Sequence, residues 1–222
     1  MTFYRIARAI VLSIMKVIFR VRVIGREHVP REGVYIVAPS HRSILDVPFT
    51  AFITKRRIRF MAKEELFHNA IGRWLFTKLG AIKVVRETTD RRALRASQQA
   101  LEDGEPLAIF PEGTRRTGPV IEDLYDGVAY LAIKLAVPVI PVGVGGSEQI
   151  LPSGKVFPRM HKVAVVVGPP ITPPPRHDTV TKRSEIAALT ERLTRDLQAV
   201  FDDAMARVET APASAAERRE HV

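Results

Sequence analysis

The sequence predicts an α/β fold: one central, largely parallel or mixed sheet flanked by helices and preceded by an amphipathic N-terminal helix. Three observations lead there. Short apolar, β-branched runs at 34–37, 107–110 and 163–167 have the length and composition of buried strands. Segments of helical apolar period lie between the runs, and this alternation is the pattern of a layered α/β domain. Two of the runs end at a proline, Pro39 and Pro111, and each hands over to a polar loop. A chain of 222 residues holds one well-cored domain with appendages, and no internal repeat divides it.

In chain order, residues 4–19 are a largely apolar stretch interrupted by Arg5, Arg8 and Lys16, and Arg20 closes it. The longest uncharged part, 9–15, is far short of the roughly 20 residues that span a bilayer. At about 100° per residue the four basic groups share a sector roughly 120° wide. The rest of the surface carries Phe3, Ile6, Ile10, Val11, Ile14, Val17 and Ile18. A narrow cationic stripe on a wide apolar body fits a membrane-surface helix at the headgroup boundary. Packing against its own domain is the competing expectation. No small-residue cleavage site follows, so a signal peptide is not expected.

Only one helix fits before Val21-Arg22-Val23-Ile24; the run at 34–37 comes next, then a helix from Asp46 to about residue 54. The cluster Lys55, Arg56, Arg57 and Arg59 reads as a solvated turn before a strand at 58–61. Phe67, Ile71, Leu75 and Leu79, with a second row at Leu66, Ala70 and Trp74, form a helical stripe whose default meaning is core packing. Trp74, between Arg73 and Lys78, equally suits a membrane interface. A strand at 81–85 ends at Arg86, and Asp90 is placed to cap a helix that stops at Gly104. Helices at 127–136 and 182–208 and strands at 138–144 and 163–167 complete the set. The run Gly143-Val144-Gly145-Gly146 lacks the third glycine of a dinucleotide fingerprint. Three units result: an interfacial helix at 1–20, a globular domain at 21–208, and a tail at 209–222 expected to be disordered.

The net charge of +10 calls for an anionic partner. Nucleic acid is not expected, because the basic residues are dispersed and neither an aromatic RNP block nor a zinc-finger spacing occurs. The absence of cysteine excludes disulfides, thiolate metal sites and a cysteine nucleophile together. No Gly-x-Ser-x-Gly elbow occurs, so a covalent acyl-enzyme has no evident carrier.

The chemistry is concentrated after the two prolines. Beyond Pro39 comes His41 and, five residues on, Asp46. A near-neutral imidazole can accept a proton, and a carboxylate on its other nitrogen fixes the tautomer and stabilises the cation. On a regular helix five residues is roughly 140° of rotation, so the two meet only with His41 in the loop and Asp46 at the helix mouth. Taken alone, the spacing also fits a plain N-cap and a solvated histidine. Beyond Pro111 stand Glu112, Gly113, Thr114, Arg115 and Arg116: a carboxylate, a small-residue turn and two guanidinium groups. Two such loops from one sheet would set an acid–base pair beside an anion clamp.

Here the sequence resembles the glycerophosphate acyltransferase family, the 1-acylglycerol-3-phosphate acyltransferases of phospholipid synthesis. Four family blocks occur in order: His41 with Asp46; Gly80 to Arg86; Phe110 to Arg115; and Val137, Pro138 and Pro141. They span about half the chain. Ser40 stands where the family often has Asn, and Arg116 where it often has Ser, which bears on acceptor choice. The resemblance implies transfer of a fatty acyl group from a thioester to the free hydroxyl of lysophosphatidic acid or glycerol phosphate. The donor, acyl-CoA or acyl carrier protein, would be a co-substrate, with no further cofactor and no metal. His41 and Asp46 are the catalytic pair. Arg115 can grip a phosphate bidentately, and the resemblance adds Arg86, with Lys83 a weaker candidate. Glu112 would brace the loop through backbone or a guanidinium, or bond the acceptor hydroxyl. Amides near Gly113 and Thr114 are candidate oxyanion donors. The expected partners are a phospholipid membrane surface and a lysophospholipid, with the protein peripheral or monotopic on the cytoplasmic face of the cell membrane. Two alternatives stand beside this: an acyltransferase for another lysolipid or lipid-like alcohol, and a non-enzymatic protein that binds anionic lipid.

Overall fold

The structure is a computed structural model that describes residues 2–84, 91–152, 157–175 and 181–209. The expectations for Arg86, Asp90 and the tail fall outside the described residues. Helix α1 (Thr2–Ile18) leads into β1 (Arg22–Ile24) and β2 (Ile36–Pro39). Then follow α2 (Asp46–Thr50), β3 (Arg59–Lys63), α3 (Ala70–Leu79), β4 (Ala81–Val84), α4 (Arg91–Glu102) and β5 (Leu107–Ala108). The chain continues with α5 (Gly127–Leu135), β6 (Val139–Gly145), α6 (Ser147–Ile150), β7 (Ala164–Val167) and α7 (Arg183–Glu209).

Among the described residues the strands form one sheet of seven in the order β1-β7-β6-β2-β5-β3-β4. The five from β6 to β4 are mutually parallel, whereas β7 runs antiparallel to β6 and β1 parallel to β7. The sheet is therefore mixed and largely parallel, as the apolar runs predict. Successive side chains of a strand point to opposite faces, and β2 shows it. Tyr35 and Val37 join one core cluster with Phe49, Phe52 and Ile53; Ile36 and Ala38 join the other with residues of α4 and α5.

Helix α2 lies on the first face and α5 on the second, so the helices that follow neighbouring strands β2 and β5 diverge. In an open α/β sheet, such divergence marks the place beyond the strands' carboxyl ends where ligands usually bind. The registers Ile36↔Leu107 and Val37↔Ala108 bring the two polar loops out side by side.

Helix α1 packs on the first face with a narrow inner stripe. Met15 and Phe19 are buried, Leu12 is half-buried, and the Phe19 ring meets Phe49 edge-on at 5.8 Å. Arg8 lies on the same stripe and donates to the carbonyls of Ala51 and Thr54. This corrects its expected place in an outward cationic stripe: two carbonyls at the end of the turn after α2 offer it a partner on the domain. The outward side carries Ile6, Ile10, Val11, Ile14, Val17 and Ile18, all exposed.

Helix α3 also departs from expectation. Asn69 caps it by accepting from the Gly72 amide at 2.6 Å, but none of its residues is buried, and Ile71 and Trp74 are exposed. It packs beside β4, the edge strand, so there is too little sheet beneath it to cover a core stripe. The basic cluster is not merely solvated either: Arg56 lies over the Tyr35 ring and Arg59 pairs with Glu105 at 2.8 Å.

Candidate active site

Strand β2 ends at Pro39, and Ser40 continues it by donating to the Val142 carbonyl and accepting from the Val144 amide. The chain then turns, and His41, Arg42 and Ser43 are all buried. Asp46 is the first residue of α2, one past the cap position, which Leu45 occupies without a side-chain hydrogen bond. The cap role proposed for Asp46 is thus not what its carboxylate does. It points back into the turn, where its Oδ2 accepts from the amides of Arg42 and Ser43, both at 2.6 Å, and meets His41 Nδ1 at 3.1 Å. The carboxylate is wholly buried. With Nδ1–H donating to Asp46, the lone pair of His41 resides on Nε2. The Phe110 ring lies against the imidazole, centroids 4.1 Å apart, and confines its rotation.

The second loop grips the first. Glu112 is wholly buried; its Oε1 accepts from the His41 amide at 2.8 Å and its Oε2 from Arg42 Nη1 at 2.6 Å. The Arg116 amide donates to the His41 carbonyl at 2.9 Å. Of the roles open to Glu112, bracing backbone and guanidinium is the one its contacts match.

Arg42 received no role from the sequence, yet it is the largest wholly buried side chain among the described residues. Its Nη1 also reaches the His41 carbonyl at 3.2 Å. Nε donates to the Gly118 carbonyl and Nη2 to that of Val120, both at 2.9 Å, and the guanidinium carbon lies 4.8 Å from the Phe201 ring centre. A guanidinium offers five donors, and here they knit the His41 loop, residues 112–120 and α7 together. The signal that could have found Arg42 was the lone acid Glu112 at the mouth of the adjacent strand.

Gly113 and Thr114 behave differently from expectation. The Gly113 amide donates to the Phe110 carbonyl at 3.0 Å and the Thr114 amide to that of Glu112 at 2.7 Å, so both serve the turn rather than facing a substrate oxygen. Gly113 has φ +67°, and a Cβ there would sit 2.5 Å from the Tyr125 ring, which is why glycine closes this turn. Arg115 is exposed on this loop, next in sequence to the residue that holds the His41 carbonyl. Among the described residues no carboxylate pairs with it. Lys83 is not brought to His41: it sits on edge strand β4 and pairs with Glu64. A shallow groove along one side of α3, lined by Ala70, Arg73, Trp74, Thr77 and Lys78, shares no residue with the His41 loops.

The arrangement is a buried carboxylate–imidazole pair locked by a second loop, which also carries the exposed Arg115. Such a pair can take a proton from a hydroxyl and return it to a leaving group.

The acyltransferase family profile matches residues 20–145, a span that contains both loops. A 1-acyl-sn-glycerol-3-phosphate acyltransferase of Bacillus subtilis (strain 168) is 29% identical over 184 residues, covering 80% of this chain and 86% of its own. One from Chlamydomonas reinhardtii is 32% identical over 163 residues, 70% of this chain; the chain spans only 48% of that relative's length. The crystal structure of the 1-acyl-sn-glycerophosphate acyltransferase PlsC from Thermotoga maritima superposes with a TM-score of 0.69 at 24% identity. That alignment covers 93% of this chain and 83% of the other.

Proposed function

The chain belongs to the acyltransferase family, and from that premise we propose that it acylates the free hydroxyl of lysophosphatidic acid, using the thioester of coenzyme A or acyl carrier protein as donor. The observation that carries this reading is the His41–Asp46 pair at 3.1 Å, held between two loops at the strand ends. Nε2 of His41 accepts the hydroxyl proton as the oxygen attacks the thioester carbonyl carbon. The tetrahedral adduct collapses, the carbon–sulfur bond breaks, and the proton passes from His41 to the departing sulfur. Asp46 stabilises the imidazolium formed in between. Arg115 holds the acceptor's phosphate, and the resemblance adds Arg86 as its helper. Relatives named for this acceptor support the choice over another lysolipid.

The acceptor lives in a membrane, while no helix among the described residues is long and apolar enough to cross one. We therefore assign the outward side of α1 to the headgroup boundary, with Lys16 and Arg20 near the phosphates, on the cytoplasmic face where the thioester donors are available.

The test is an acceptor panel with purified protein and both donor types, identifying the acylated product. Phosphatidic acid should form, and its absence with both donors refutes the reading. In Arg115→Ala the KM for lysophosphatidic acid should rise roughly 10- to 100-fold, the worth of a charge-assisted contact, while a neutral monoacylglycerol responds little. Equal losses on both acceptors would assign Arg115 to the donor or to the fold.

A further inference from the structure

The connection between β6 and β7 ends in an apolar tip that none of the roles above uses. Phe157 is 86% exposed and Met160 72%, with exposed Arg159 between them. Strand β6 runs parallel to β2, and β7 returns antiparallel to it. Their connection therefore emerges at the edge of the sheet that carries His41. Hydrogen bonds tie it there. Ser43 Oγ, in the catalytic loop, donates to the Leu151 carbonyl at 3.2 Å, and the Arg159 amide donates to the Ile150 carbonyl at 2.7 Å.

The end of α1 reaches the same edge, because the Val163 amide, just past the tip, donates to the Phe19 carbonyl at 3.1 Å. Val17 and Ile18 are exposed there, and Ile44, inside the catalytic loop, is 52% exposed. Three separate segments thus present bare apolar side chains around one rim, with Arg159, Lys16 and Arg20 among them. Large aliphatic and aromatic groups held out to solvent beside cations are the composition of a surface that enters the headgroup–acyl boundary.

We propose that the Phe157–Met160 tip is a second membrane-insertion element, and that a bilayer bearing anionic lipid seats against the catalytic edge itself rather than against α1 alone. This rests on the membrane-borne acceptor assigned above. The partner is a bilayer, and the match is of charge as well as polarity: the cations meet lipid phosphates while Phe157 and Met160 enter the acyl region. Lysophosphatidic acid would then reach His41 by sliding within the leaflet, its phosphate at the depth of Arg115, with no need to leave the membrane.

The experiment uses the full chain with vesicles of phosphatidylcholine and phosphatidylglycerol. Both tip side chains are exposed, so Phe157→Ser with Met160→Ser should melt with the parent. Withdrawing two apolar side chains of this size from the boundary should weaken co-sedimentation about ten- to a hundredfold. Turnover on a short-chain, water-soluble acceptor should stay at the parent's level while turnover on vesicle-borne acceptor drops. A spectroscopic arm reads insertion directly. In Trp74→Phe with Phe157→Trp, the single remaining tryptophan should shift to shorter wavelength on vesicle addition and be quenched by brominated acyl chains. Parental co-sedimentation of the serine variant, or an unshifted and unquenched tryptophan, overturns the proposal. Neither readout depends on turnover, so failure of the acyl-transfer reading would show separately, as absence of product.

Discussion

Asp46 Oδ2 accepts three donors, and each sets part of the geometry. The amides of Arg42 and Ser43 shape the turn, and His41 Nδ1 aims the ring. Asp46→Asn keeps the volume but can put an amide N–H where Nδ1–H must donate, which favours the wrong tautomer. Turnover should fall roughly 10²- to 10⁴-fold, read as kcat with KM for the thioester little changed. Retained activity in a folded Asp46→Asn protein would leave the carboxylate a purely structural role. Glu112 makes a different demand. Its buried pair with Arg42 has both side chains almost wholly out of solvent, so Glu112→Gln strands a guanidinium charge in the interior. Breaking such a pair costs about 3–5 kcal/mol, measurable as a lowered denaturation midpoint. Adding Arg42→Met should cost less than the two single losses summed. Additive losses would mean the two side chains act independently.

At the level of elements, α1 buries one side in the core and leaves the other exposed, and the docking role proposed for the exposed side is testable. Phe19 and Met15 belong to the core, so Phe19→Ala should cost about 3–5 kcal/mol. For the same reason, deleting residues before Val21 would strip cover from Phe49 and confuse docking with unfolding. The outward residues allow a clean separation: Ile10→Ser with Ile14→Ser and Val17→Ser should leave the melting temperature near the parent's and reduce binding to anionic vesicles. A melting temperature that drops as far as that of Phe19→Ala would show this side to be buried as well. The glycines of β6 illustrate what periodicity hides. Gly143 and Gly145 fail as a nucleotide fingerprint, yet α7 lies directly upon them: an added Cβ would meet the Val200 carbonyl at 2.2 Å or the Ala204 backbone at 2.5 Å. Close backbone approach is a long-range fact, and nothing in the neighbouring residues announces it.

Over the whole molecule, what could be read in advance was what local pattern encodes. Apolar runs marked the strands, and rotation per residue set the condition for the pair to meet: His41 in the loop and Asp46 at the helix mouth. The hydrogen bond at 3.1 Å fits that argument. The features not legible depend on distant partners. Arg42 looks like a solvated charge until Gly118 and Val120, 76 and 78 residues away, supply its acceptors. Arg8 looks outward until Ala51 and Thr54 take it. The stripe on α3 promised a core contact, but beside an edge strand Phe67, Leu75 and Leu79 are only half-buried and Ile71 stays exposed.

The function proposed for the end of the sheet that carries both loops is proton transfer at His41 as an acceptor hydroxyl attacks a thioester. The most direct measurement is the initial rate of acyl transfer to lysophosphatidic acid by His41→Ala beside the parent, at matched melting temperature. Loss of a positioned general base should lower the rate by about 10²- to 10⁴-fold with the protein still folded. A folded His41→Ala protein turning over at close to the parental rate would contradict the account.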